Sequence, residues 1–205
     1  MNAGRKREFD KQQALDQATR VFWASGYSGT SVNDLSAALG INKPSLYAAF
    51  GNKEQLFRSA LNHYLTDYGA PIWQRLIEPP DAPLAVRLRA YLRGILDLVS
   101  SSDAPPGCLF VNSACESGSH AMPGEIAAAL REHARVAEAR LVGFLRDEQS
   151  SGELAAEADV QRLARYLLSV MYGLAVLVQA GNTGRSLQAV ADLAVDAVPV
   201  AARVS

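Results

Sequence analysis

The chain of 205 residues has two cysteines, three histidines and two tryptophans, and aromatic residues make up only 7% of it. Two cysteines cannot form the dense disulfide framework of a small secreted domain, so a reducing compartment is expected. The histidines are scattered, with no His, Cys and carboxylate cluster at ligand spacing, and neither a metal nor a cofactor is expected. No glycine-rich phosphate loop is present. No apolar run approaches ~18 uninterrupted residues, and the N-terminus lacks the apolar core of a signal peptide, so a cytoplasmic protein without membrane contact is expected. An excess of positive charge is missing too. The net charge is -1, which is unpromising for a partner of nucleic acid.

The distribution of charge is more informative than its sum. Residues 1–60 hold eight Lys/Arg against five acids, a balance of +3, and the remainder carries -4. Local charge decides phosphate attraction, so the basic end is where DNA contact is expected. Arg5-Lys6-Arg7 forms a small basic arm within it. With 49% hydrophobic residues the chain can build a sizeable core.

Residues 14–58 read as three short helices in tandem. The first, near 9–25, sets Leu15, Ala18, Phe22 and Trp23 on one face. Gly26 closes it, and Thr30 or Ser31 caps the next, with Asp34 three residues after Ser31 in the position of a capping-box partner. The second helix, near 32–39, turns Val32, Leu35 and Leu39 inward. Ser36 lies at the helix crossing, where a small residue lets the axes approach. Gly40 permits the reversal, Ile41 fills the corner, and Pro44 starts the third helix, about 43–49, without losing a hydrogen bond. Leu46, Ala49 and Phe50 pack down, while Lys43, Ser45 and Tyr47 point out. This spacing is that of a helix-turn-helix, which places its last helix in the major groove of double-stranded DNA. Thr30, Ser31, Tyr47 and Lys53 are then candidates for phosphate contact, and Lys43, Pro44 and Ser45 for base edges. A structural hairpin with a merely solvated face is the alternative.

Ala18, Phe22, Gly26, Tyr27, Thr30, Ser31, Val32, Leu35, Ala38, Gly40, Ile41, Lys43, Leu46, Tyr47, Phe50, Lys53, Glu54 and Leu56 together resemble the signature of the TetR family of bacterial transcriptional regulators. Ser36 departs from the alanine usual in helix two. Asn42-Lys43-Pro44-Ser45 departs from the more frequent serine-lysine-glycine-threonine type, so the operator sequence cannot be inferred. The resemblance implies an all-α protein of about nine helices. Its DNA-binding domain would span 1–52, and a ligand-binding and dimerisation bundle 53–205.

Beyond residue 60 the pattern stays helical. A linking helix over about 53–70 is expected to end before Pro71. Further helices are expected over 83–101, 107–118, 123–150, 157–180 and 185–198, and helices with short connections argue a bundle. Residues 167–178 are apolar nearly all round, which calls for cover on every side. Tyr166, Val170, Leu174, Leu177, Leu187, Val190 and Ala194 are therefore expected to lie at a homodimer interface, as the family resemblance also implies; the centre of a monomeric core is the alternative.

The resemblance further implies a small-molecule effector held in this half. Trp73, Tyr91, Cys108, Phe110, Asn112, His133 and Tyr166 are the candidates for its lining, with His120 and Tyr172 in the same composition class; ordinary core packing accounts for the same residues. The stretch PGCLFVNSACE (106–116) is similar to a segment found in one subset of TetR-type regulators, some of which use a cysteine near this point to sense oxidants or electrophiles. At a helix N-terminus Cys108 would have a lowered pKa, whereas as a buried hydrophobe it would be inert. A Cys108–His120 or Cys108–His133 nucleophile pair lacks an orienting third group, so an enzyme is not expected. A repressor released by its effector is the leading reading, with an activator as the alternative.

Overall fold

The computed structural model describes residues 10–118 and 122–201. Arg5-Lys6-Arg7 and His120 lie outside the described residues. Among the described residues, nine helices account for the fold. Asp10 caps α1 (Lys11–Ser25), its carboxylate accepting from the amides of Gln12 and Gln13. Ala18, Phe22 and Trp23 on its inner face are fully buried. Gly26, at φ +70, closes the helix in a conformation that other residues rarely adopt.

In α2 (Val32–Leu39) the cap is Ser31, and both arms of the capping box form. Ser31 Oγ accepts from Asp34 N–H at 3.1 Å, and Asp34 Oδ2 accepts from Ser31 N–H at 2.8 Å, so aspartate reaches despite its length. The left-handed Gly40 (φ +64) turns the chain into α3 (Lys43–Phe50), where Asn42 caps and Pro44 sits in the first turn.

The linking helix does not stop before Pro71. Segments Lys53–His63, Tyr64–Gly69 and Ala70–Ile77 run on as one rod, α4, whose middle segment is a wide π turn. Proline has no N–H to give and its ring crowds the carbonyl four residues back. The π segment loosens the turn just before Pro71, so the rod continues.

The bundle is completed by α5 (Leu84–Val99), α6 (Leu109–Glu116), α7 (Gly124–Ser150), α8 (Val160–Gln179) and α9 (Arg185–Asp196). The last segment of α4 packs on α5, α9 lies against α5, and α7 pairs with α8. Among the described residues the one β pairing is the Leu154–Val200 bridge. A continuous apolar core runs from Phe22 and Phe57 in the head to Leu92, Leu145 and Leu174 in the bundle. No helix among the described residues is long and apolar enough to cross a membrane.

Candidate DNA-reading head and sensor half

The head is built around Phe22 and Tyr27, stacked at 6.4 Å and met edge-on by Phe57 of α4 at 5.1 and 5.2 Å. Leu35 and Leu46 are completely buried and fix α2 and α3 on that base. The opposite face of α3 is open. Lys43, Pro44 and Ser45 are all exposed, and Tyr47 keeps 47% of its surface. These four reach solvent together at the leading end of the third helix.

Three other candidates sit differently. Ser31 is exposed, though its hydroxyl already serves the cap. Thr30 is 1% exposed, and its hydroxyl donates to Gly26 O at 2.7 Å. It therefore braces the α1–α2 turn and offers no free hydroxyl to a phosphate, because the turn has claimed it. Lys53 is half-buried, its ammonium 4.1 Å from the centre of the Tyr27 ring. Burial pulls its pKa below the ordinary lysine value, while Glu54 and Glu116 act to raise it. Tyr27 is held in turn by donating to Glu54 Oε1 at 2.9 Å.

The junction between head and bundle is polar and specific. Trp23 Nε1 donates to Gly107 O at 3.0 Å, and Asn112 Nδ2 donates to Trp23 O at 3.3 Å. Asp16 accepts from the Tyr68 hydroxyl at 2.6 Å and contacts His63 at 3.2 Å. Burial alone would raise the Asp16 carboxyl, but hydrogen bonds with Tyr68, Arg20 and His63 outweigh it and leave its pKa lowered. Local sequence reading missed Trp23 and Asp16 as junction residues; a tryptophan N–H that must find a partner when buried was the available signal.

In the sensor half, some of the expected lining residues come together. Trp73 meets Tyr91 and Phe144 edge-on at 6.0 and 6.1 Å, and the Arg140 guanidinium lies 3.9 Å from the Trp73 ring centre. Phe110 meets Tyr172 at 5.8 Å, and the Tyr64 hydroxyl donates to Cys108 Sγ at 3.2 Å. Burial pushes the Tyr91 hydroxyl well up, against the lowering pull of Arg140, and Tyr172 adds to the rise.

Other candidates fall elsewhere. Asn112 spends its amide on Trp23, leaving its buried Oδ1 without a partner among the described residues. His133 lies within the field of Arg58 in the first segment of α4; burial chiefly, and Arg58 besides, lower its pKa. Trp73 is fifteen residues further along that rod, ~22 Å at the helical rise. Tyr166 is 37% exposed on the outer face of α8, so it does not join the aromatic group. Cys108 departs from the electrophile-sensor expectation. It does precede α6, and the amides of Val111 and Phe110 favour its thiolate, but burial outweighs them and raises its pKa.

The apolar helix α8 resolves into two faces. Leu174 is 1% exposed, and Leu187 and Ala194 are 4% and 1%, so all three belong to the protomer's own core and not to an outer surface. Tyr166, Val176, Leu177, Val190 and Leu193 stay substantially exposed, with Val170 partly so. Val176 and Leu193 were not anticipated. An all-apolar run gives no phase by which to choose its outer side.

A capped, solvent-open third helix on a buried three-helix base, joined by a long helix to an all-helical bundle, defines a helix-turn-helix DNA-binding protein. Comparison with known proteins narrows this. The family profile described as bacterial regulatory proteins, tetR family, matches residues 14–60, and that of the tetracyclin repressor-like C-terminal domain matches residues 85–193. The repressor ComR of Escherichia coli (strain K12) is 33% identical over 188 residues, covering 92% of this chain and 88% of its own. The regulator YezE of Bacillus subtilis (strain 168) is 36% identical over 166 residues, covering 80% and 83%. A cysteine mutant of the TetR family regulator CifR, solved with a 26-bp double-strand operator DNA, superimposes with a TM-score of 0.87 at 35% identity, covering 96% of this chain and all of its own. The chain belongs to the TetR family of transcriptional regulators, which bind DNA and are not enzymes.

Proposed function

We propose that the protein is a cytoplasmic, homodimeric repressor that binds a palindromic operator and is released by a small-molecule effector. The observation that carries the DNA part is the joint exposure of Lys43, Pro44, Ser45 and Tyr47 on α3. Lysine, serine and tyrosine donate to phosphates and base edges, and the helix start presents free amides to the same anions. Lys53, at the first turn of α4, adds a phosphate contact beside them. Relatives of this length that are named as repressors, and a similar protein solved on operator DNA, support the direction of control.

The head is residues 1–52 and the sensor half 53–205. The effector is held near Trp73, Tyr91, Phe110 and Tyr172, with the Arg140 guanidinium over Trp73 as a nearby cation. An effector acts by preferring a conformation whose two heads no longer fit the half-site separation, and it shifts the equilibrium only as far as its differential affinity allows. The decisive experiment is selection of sites from random DNA at fixed salt. A recovered palindrome is expected, and Lys53→Ala should lower the slope of log affinity against log salt by about one phosphate contact, near 0.9. No enrichment by a folded dimer would overturn this reading.

A further inference from the structure

A carboxylate from the sensor half is seated in the DNA-binding head. Glu116 is the last residue of α6, and its Oε2 accepts from Ser28 N–H at 2.9 Å across 88 residues of sequence. Its other oxygen fills the space left by the absent side chain of Gly26. A Cβ there would lie 1.7 Å from Oε1. Ser28 is in the turn between α1 and α2, and Thr30 is fastened to Gly26 in the same turn. Glu116 also contributes to the field on Lys53.

The rest of α6 points to the same junction. Two turns before Glu116, Cys108 stands just ahead of the helix and receives the Tyr64 hydroxyl, and Phe110 in the first turn meets Tyr172. Between them Asn112 donates to Trp23 O. One eight-residue helix therefore touches the aromatic group of the bundle at one end and the α1–α2 turn at the other. Its hydrogen bonds to the head come from side chains that a small rotation of α6 would carry away together.

We propose that Glu116 is a positioning residue for operator binding: through Ser28 it fixes the angle of each head against the bundle, and thereby the half-site separation that the dimer accepts. A hydrogen bond to a charged acceptor is stronger than a neutral one, so a single such contact can hold a turn. A head held at one angle loses little freedom on docking to correctly spaced half-sites, whereas a loose head loses more there and adapts to wrong spacings. The inference rests on the dimeric operator reading above.

The test is affinity for a single half-site, and for paired half-sites at the selected spacing and at one and two base pairs either side. Wild type should prefer one spacing. Glu116→Ala should lose about tenfold there, as for one hydrogen bond to a charged group, lose less at the other spacings, and bind the single half-site as wild type does. Glu116→Gln, which keeps an acceptor for Ser28 but not its charge, should keep the preferred spacing with a smaller loss there than Glu116→Ala. Glu116→Asp, charged but one methylene short, should flatten it, so the comparison survives if the alanine variant folds poorly. Deuterium exchange over residues 26–29 should rise in Glu116→Ala. An unchanged spacing profile in Glu116→Ala, or an equal loss on the single half-site, would overturn the proposal. If wild type shows no preference for paired half-sites, the dimer reading fails instead. The clasp is then judged on exchange alone, and equal exchange at 26–29 overturns it.

Discussion

Cys108 and Cys115 are seven residues apart, yet their surroundings differ sharply. Cys115 is exposed, while Cys108 is partly buried with its sulfur under the Tyr64 hydroxyl. The thiolate is the nucleophile, so accessibility and pKa both govern reaction. Burial raises the Cys108 pKa, which leaves less thiolate at neutral pH than an ordinary cysteine would have. Iodoacetamide at pH 7.5 should therefore modify Cys115 first, with Cys108 following only as pH rises toward its elevated value. Peptide mass spectrometry of a time course measures both rates at once. Faster labelling of Cys108 would return it to consideration as an electrophile sensor. The sequence alone left Cys108 open between a helix-dipole thiolate and a buried hydrophobe, because the residue that covers it comes from α4, 44 positions earlier.

At the scale of elements, what could be read in advance depended on how local the determining chemistry is. The bounds of α2 and the start of α3 followed from local signals within a few residues of each end, namely Ser31, Gly40 and Pro44. The continuation of α4 through Pro71 did not, since it depends on a π turn that the sequence does not announce. Ser36, expected at the helix crossing, has a buried hydroxyl that finds no partner among the described residues. A link between α5 and α7 was also hidden. Arg87 is 4% exposed and Glu148 8%, and they pair in a two-pronged contact in which Arg87 Nη1 lies 2.8 Å from Glu148 Oε1. Arg87 Nε donates in addition to Ala82 O at 2.9 Å, so the guanidinium also ties the loop before α5. Removing either partner leaves a buried charge alone, which costs about 3–5 kcal/mol. Arg87→Ala and Glu148→Ala should each lose that much in denaturant unfolding. The paired replacement Arg87→Met with Glu148→Leu should lose far less, since neither charge then remains unpaired. Equal losses for the single and double variants would show that packing, and not charge pairing, joins these helices.

For the whole molecule, the proposed dimer requires a surface that would join two copies so that two heads meet DNA one helical turn, ~34–36 Å, apart. Positions 166, 170, 173 and 177 recur at intervals of four, three and four along α8, which sets them on one stripe. Leu177 on that helix is 39% exposed, and Leu193 on α9 is 69% exposed. Large apolar side chains so exposed on two neighbouring helices mark an interaction surface more readily than scattered ones do. Leu174 lies one residue away in sequence but faces inward at 1% exposure. The two positions therefore give opposite expectations. Leu177→Arg combined with Leu193→Arg should give a protein that is folded by circular dichroism but monomeric by light scattering. It should lose most of its affinity for the paired operator while keeping that for a single half-site. The loss should approach the ~10²–10⁴ that linkage of two sites supplies. Leu174→Arg should instead unfold or aggregate, because it buries an unpaired charge within one protomer. A folded monomer from Leu174→Arg, or an intact dimer from the double variant, would place the interface on another face. The two heads would then have to reach their half-sites from a different two-fold axis.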